Sequence, residues 1–180
     1  MNLKMDQILS YPLGIIFLAS LSLSAQAECN SVIPFKTPTA DFVSHNNGTV
    51  THTPTGLMWK VCSESQTWSV GSCIGTASGH TWAEALQLPS TLNAGGGFSS
   101  FSDWRLPNFK ELVSITETAC RSPSINATIF PSSPSLFYWS STPHQLIDFH
   151  ARVVNFSTGT GASIPRSSGP LRVRLVRGGE

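Results

Sequence analysis

Four cysteines, at positions 29, 62, 73 and 120, constrain this chain more than any other feature because of what precedes them. Lys4 gives a positive start, Tyr11 to Leu23 an apolar run, and Ala25-Gln26-Ala27 a small-x-small cleavage site. Together these read as an export signal. The run is too short and too serine-interrupted for a membrane span. Glu28 stands where a lipoprotein signal needs a small residue, so plain cleavage is expected, with a periplasmic or extracellular product. In an exported chain an even cysteine count predicts disulfides. Cys62 and Cys73 enclose ten residues of polar loop and are expected to pair locally, which leaves Cys29 for Cys120. No cysteine pair has zinc-ligand spacing, and His45, His52, His80, His144 and His150 are scattered, so no metal or cofactor is expected.

The domain is organised around Ser102 to Leu112, "SDWRLPNFKEL". Asp103 and Arg105 flank Trp104, which is expected to plug the core while the charges pin the loop. Leu106-Pro107 forces an extended entry, because proline disfavours the helical region for the residue before it. Asn108 then reads as an N-cap, with Glu111 three residues on completing a capping box. Leu112 and Ile115 follow at helical spacing.

The remaining elements follow from turn chemistry and periodicity. Phe42-Val43 starts a strand, Asn47-Gly48 is a hairpin turn, and Thr53 to Gly56 a second turn leading to the strand Leu57-Met58-Trp59. His52 beside that turn is expected to be exposed. Ser63 to Gly79 reads as loop. Thr81 with Glu84 starts a first helix, which Pro89 is expected to end or kink after Leu88. Asn93 to Ser102 is a glycine-rich connector without a phosphate-loop lysine. Leu136 to Thr142 and Phe149 to Phe156 read as strands, the second with a slip near Val153-Val154 that suggests a bulge. In the strand Leu171 to Val176, Leu171, Val173 and Leu175 point one way and Arg172 and Arg174 the other. The class is α+β: antiparallel strands around two short helices, stapled by disulfides. The organisation is a signal over 1–27, an arm over 28–40 and one domain over 41–180.

The ordered motifs "NGTVTHTPTGLMW", "TWAEAL", "SDWRLPNFKEL", "INATIFP", "YWSST" and "VRLVRGG" resemble the bacterial Lcl C-terminal domain family, named for the terminal domain of a Legionella collagen-like adhesin. The "RLP" and "VRGG" elements are also similar to those of formylglycine-generating-type domains, and the resemblance implies their C-type-lectin-like fold. His52 departs from the family pattern, which usually has Asp there, and Pro89 interrupts the first helix. The adhesin's domain is associated with attachment to sulfated glycosaminoglycans. No collagen-like Gly-x-y region is present here to supply multivalency.

A net charge of +1 gives no global argument for nucleic acid, and none is expected as a partner. The charge is uneven: from Arg121 onward six arginines face only Asp148 and Glu180. The favoured expectation is a non-catalytic binding module for glycans or sulfated polysaccharide. Arg152, Arg166 and Arg172 would contact sulfate or carboxylate, and Tyr138 or Trp139 would stack on sugar rings. Arg174 and Arg177 belong to the motif and are expected to make internal pairs with Asp103 or Glu111. A protein-binding envelope module is the alternative. An enzyme on a formylglycine-generating-type fold is less favoured, because that chemistry needs a reactive cysteine pair and the four cysteines are assigned to disulfides.

Overall fold

A computed structural model describes residues 27–178 of the protein. The expected signal segment lies outside these residues, apart from Ala27. In chain order the strands are β1 (Glu28–Cys29), β2 (Phe42–Ser44), β3 (Thr49–His52), β4 (Leu57–Lys60), β5 (Thr67–Ser69) and β6 (Ser72–Ile74). Then come helices α1 (Trp82–Ala94) and α2 (Phe109–Ser114), followed by β7 (Cys120–Arg121), β8 (Phe137–Pro143), β9 (His150–Asn155), β10 (Thr160–Pro165) and β11 (Val176–Arg177). All named strand pairs are antiparallel, in sheets ordered β11-β4-β3-β2, β10-β9-β8, β5-β6 and β1-β7. The α+β expectation holds. Ser63 to Gly79, read as loop, contains the β5–β6 hairpin, because Cys73 and Trp68 pair across it and carry it onto the core.

The β8–β9 pair divides two hydrophobic cores. Tyr138 and Val154, opposite one another, pack with Trp59, Leu112, Ile115 and Phe130. Trp139 and Val153, the next pair, pack on the other face with Trp104, Leu106 and Leu175. Consecutive side chains of a strand point to opposite faces, so a strand buried on both sides loses its polar alternation. That explains Val153-Val154 without a bulge in β9. The irregularity is in β8 instead, where residues 140–142 stand against Arg152 alone.

Two further expectations change. Helix α1 does not end at Leu88 but runs through Pro89 to Ala94. Its capping box at Thr81 and Glu84 fixes the start. On either side of the proline, Leu88 and Leu92 pack on the second core. The Asn93 amide grips the Trp104 backbone both ways, donating to its carbonyl at 2.8 Å and accepting its N–H at 3.1 Å. These tertiary contacts offset the backbone bond that proline removes. Leu171 to Val176 is not one regular strand: only Val176–Arg177 pairs as β11, with isolated bridges at Leu171 and Arg172. The predicted alternation survives, with Val173 and Leu175 in the second core and Arg174 buried on the opposite side.

His52 is not exposed. It is buried at the end of β3, stacked on Phe42 at 4.7 Å, and its Nδ1 meets the Thr55 hydroxyl at 2.9 Å. Burial pushes its pKa below the ordinary imidazole value, with Asp41 opposing and Lys36 adding to the shift.

The disulfides are Cys29–Cys120 and Cys62–Cys73, as expected from the spacing. Cys120 lies in β7, beyond α2, so the longer link ties the arm to a strand. In the chain-entropy picture, closing the loop of sequence separation 91 stabilises by about 4–5 kcal/mol and the loop of separation 11 by about 3 kcal/mol. Replacing Cys29 and Cys120 by serine should therefore lower the urea midpoint further than replacing Cys62 and Cys73. Equilibrium unfolding of the two double variants checks the order.

Candidate functional site

The site is built where the central stretch meets the irregular part of β8. Asn108 caps α2, its side chain accepting the Glu111 N–H at 2.9 Å while the Glu111 carboxylate accepts the Asn108 N–H at 2.7 Å. This sets Phe109 and Lys110 on the first turn. The extra residues of β8 swing that strand onto the same turn. Thr142 Oγ1 accepts the Phe109 N–H at 2.9 Å, and Ser141 N–H donates to the Pro107 carbonyl at 2.8 Å. Bulges commonly re-aim side chains beside sites in this way.

The tip of the Phe109 ring packs on β10 because residue 161 is glycine; a Cβ there would collide with the ring. The Arg152 guanidinium lies over the ring, 4.0 Å from its centroid, an arrangement attractive through the ring quadrupole. The result is a groove of about 500 Å³ lined by Asn108, Phe109, Lys110, Thr142, Pro143, His144, Gln145, Leu146 and Arg152. No lining residue is acidic. The Arg152 guanidinium has no hydrogen-bond or carboxylate partner among the described residues, and its Nε is buried without one. Lys110 is exposed and makes no ion pair among them. Two cations with unfilled donors on an acid-free wall can take a carboxylate or a sulfate ester.

A second groove of about 550 Å³ runs between the arm and residues 120–133, lined by Phe35, Thr37, Asn126 and Ser133 among others. Its one acid, Glu117, is 1% exposed and internally spent. Its carboxylate accepts the Thr37 N–H at 2.8 Å, the Thr37 hydroxyl at 3.1 Å, the Ala119 N–H at 2.9 Å and the Lys36 N–H at 3.2 Å. Burial opposes the charge, but these donors outweigh it and hold the carboxyl below its usual range. Glu117 therefore ties the arm to the domain, a role that a lone acid in "ITETAC" gave no means of reading.

The expected binding face is not assembled. Tyr138 and Trp139 are fully buried, one in each core, and cannot stack on a sugar. The Tyr138 hydroxyl meets Ser63 Oγ at 2.7 Å and the Trp139 indole donates to the His80 carbonyl at 2.8 Å. Arg152, Arg166 and Arg172 do not converge. Arg166 lies over Trp82 at 4.5 Å, against the second core, whereas Phe109 under Arg152 belongs to the first. Arg172 is wedged against Gly79 with its Nε buried. Of the five candidates, Arg152 alone lines the groove. Lys110, not singled out in the sequence, and His144, weighed there among possible metal ligands, join it; the capping box beside Lys110 was the available signal.

The structural motif pairs as expected for Arg177, which takes Asp103, but not for Arg174. Asp103 and Arg105 do not pair with each other. Arg177 holds Asp103 through two bonds, at 2.6 and 3.0 Å, and keeps its carboxyl below the ordinary range. Arg105 makes a two-pronged pair with Glu111, both bonds at 2.8 Å, and reaches the Gly178 carbonyl at 2.8 Å. Arg174 meets neither acid. It is 1% exposed and donates to the carbonyls of Lys60 and Val61 and to the hydroxyls of Ser63 and Ser133, with Phe130 at 4.7 Å beneath it. Trp104 is core as expected, its indole donating to the Phe98 carbonyl at 3.1 Å.

These features define a disulfide-stapled α+β module with one cationic groove at its surface. The family model for the Lcl C-terminal domain matches residues 48–177, and the chain belongs to that family. A comparison with curated proteins finds no match.

Two predictions follow from the internal charges. Arg174→Leu leaves two carbonyls and two hydroxyls without their donor, and should lower unfolding free energy by about 3 kcal/mol or more in urea melts. Burial opposes the Glu111 charge, but Arg105 and the Asn108 N–H outweigh it, so its pKa, like that of Glu117, lies below the unfolded value. Stability from such groups is present above the unfolded carboxylate pKa of about 4.3 and lost as pH falls through the folded value. Thermal melts should drop steeply below about pH 4.3, and less steeply in Glu117→Gln, which starts from a lower midpoint at neutral pH.

Proposed function

We propose that this protein is an exported, non-catalytic, adhesin-associated module that binds acidic polysaccharide through the groove at Lys110, His144 and Arg152. The observation that carries the reading is Arg152, stacked on Phe109 and without a polar partner on an acid-free wall. Membership of the Lcl C-terminal domain family supports the adhesin association. Two disulfides fit an oxidising compartment, periplasmic or extracellular, and no helix among the described residues is long and apolar enough to cross a membrane. The reading is of binding rather than catalysis because Glu111 and Glu117 are filled by internal donors and every cysteine is in a disulfide. The antiparallel strands with two helices also support a relation to C-type-lectin-like domains.

A protein partner is the second reading, favoured by Leu146 and Phe149, which are 90% and 66% exposed on the loop edging the groove. Salt separates the two, because contacts between exposed charges are screened and apolar ones are not. The test is titration of the oxidised protein with heparin, chondroitin sulfate and a neutral polysaccharide at low and near-physiological salt. Saturable, salt-sensitive binding to the acidic chains is expected. Arg152→Ala with Lys110→Ala should weaken it on the order of tenfold or more. Binding that ignores both substitutions sinks the groove assignment.

A further inference from the structure

We propose that His144 is a pH-sensitive latch on the groove wall: its neutral imidazole holds the turn after β8 closed, and protonation releases it. Its consequence for ligands rests on the groove being the binding site; the loop motion itself does not.

His144 Nδ1 accepts two backbone N–H groups, from Leu146 at 3.2 Å and Ile147 at 3.1 Å. An imidazole nitrogen accepts only while it carries no proton. The bonds therefore require the tautomer with hydrogen on Nε2. Protonation would put an N–H at Nδ1 facing two N–H donors, and both bonds would be lost.

The same protein uses a non-titrating group for the same task elsewhere. Asn126 Oδ1 accepts the N–H groups of Thr128 at 3.1 Å and Ile129 at 3.3 Å, the same two- and three-residue offsets. Amide oxygens are the ordinary caps for such turns and keep their acceptor at every pH. Position 144 carries out this capping with an imidazole nitrogen, an acceptor that a bound proton removes.

The loop's remaining bonds lie at its ends: His144 N–H to the His150 carbonyl at 3.0 Å, His150 N–H to the Ile147 carbonyl at 2.9 Å and, from β10's end, Arg166 N–H to the Phe149 carbonyl at 2.7 Å. Between them Leu146 and Phe149 are exposed, so apolar burial adds little. Segments with few buried contacts open at low free energy, and two bonds are then a large share of their order. The ionisable groups around His144 are the His150 ring at 6.4 Å, Lys110 and Arg152 lining the same groove, and Asp148 in the loop. Arg166, behind His150, is engaged with that residue's carbonyl at 3.2 Å. Release would free residues 145–148, Phe149 staying held by the Arg166 N–H, and with them the wall formed by Gln145 and Leu146.

The experiment is backbone ¹⁵N relaxation on the full oxidised protein at about pH 7.5 and 5.5, a range that spans ordinary histidine titration. In the wild type, order parameters over 145–148 should fall from about 0.85 to below about 0.6 on acidification. His144→Asn should stay ordered at both values, because its amide replaces the acceptor. His144→Ala should be mobile at both. A wild-type loop that stays equally ordered, or a His144→Asn loop that loosens as the wild type does, overturns the latch. Heparin titrations on the same samples keep the two ideas apart. Loosening with unchanged affinity supports the latch and counts against the groove as the binding site.

Discussion

The two-pronged pair between Arg105 and Glu111 is the joint on which the structure depends. Glu111 belongs to the cap of α2, and Arg105 exchanges backbone bonds with Val176 in both directions, at 2.9 and 3.0 Å. One ion pair therefore links the start of a helix, the extended central stretch and the last strand. Arg177 on Asp103 adds a second link between the same two segments, from the residue after Val176 to the residue two before Arg105. The pair is partly shielded, with side-chain exposures of 32% and 14%, so it is less screened than an open surface pair. Geometry matters more than charge here: a planar guanidinium matches a carboxylate at two points and fixes an angle, which a lysine would not.

Arginine is used in three ways in this protein. Arg105 and Arg177 pair with carboxylates at the joint. Arg174 is solvated inside the core by carbonyls and hydroxyls at its two terminal nitrogens, which offset the cost of burying the charge although its Nε has no partner. Arg152 stacks on an aromatic ring and keeps its hydrogen-bonding capacity open. The sequence shows the same residue type in each case, and what separates a structural arginine from a binding one is the atoms around its guanidinium. The C-terminal arginine bias is therefore mostly internal, and the candidate site draws on it once.

The groove follows from packing constraints that lie far apart in the chain. The residues added to β8 bring Thr142 and Pro143 to α2, Gly161 lets Phe109 lie on β10, and Phe109 supports Arg152. None of these is chemical in itself. A cation held against an aromatic loses less freedom on binding than one waving in water, which lowers the ordering cost of recognition.

By itself the sequence determined the local structure and the covalent frame. The capping boxes at Thr81 and Asn108, the glycine turns, Trp104 in the core, both disulfides and the α+β class were all legible, because each depends on residues close in sequence or on a simple spacing. Tertiary structure decided the rest. It buried Tyr138, Trp139 and His52, carried α1 through Pro89, chose Arg177 over Arg105 for Asp103, and scattered the arginines expected to form one face. Each of those outcomes turns on what lies across the sheet or beyond the helix. A strand pattern gives side-chain direction but not whether one face or both will be covered, and here both are.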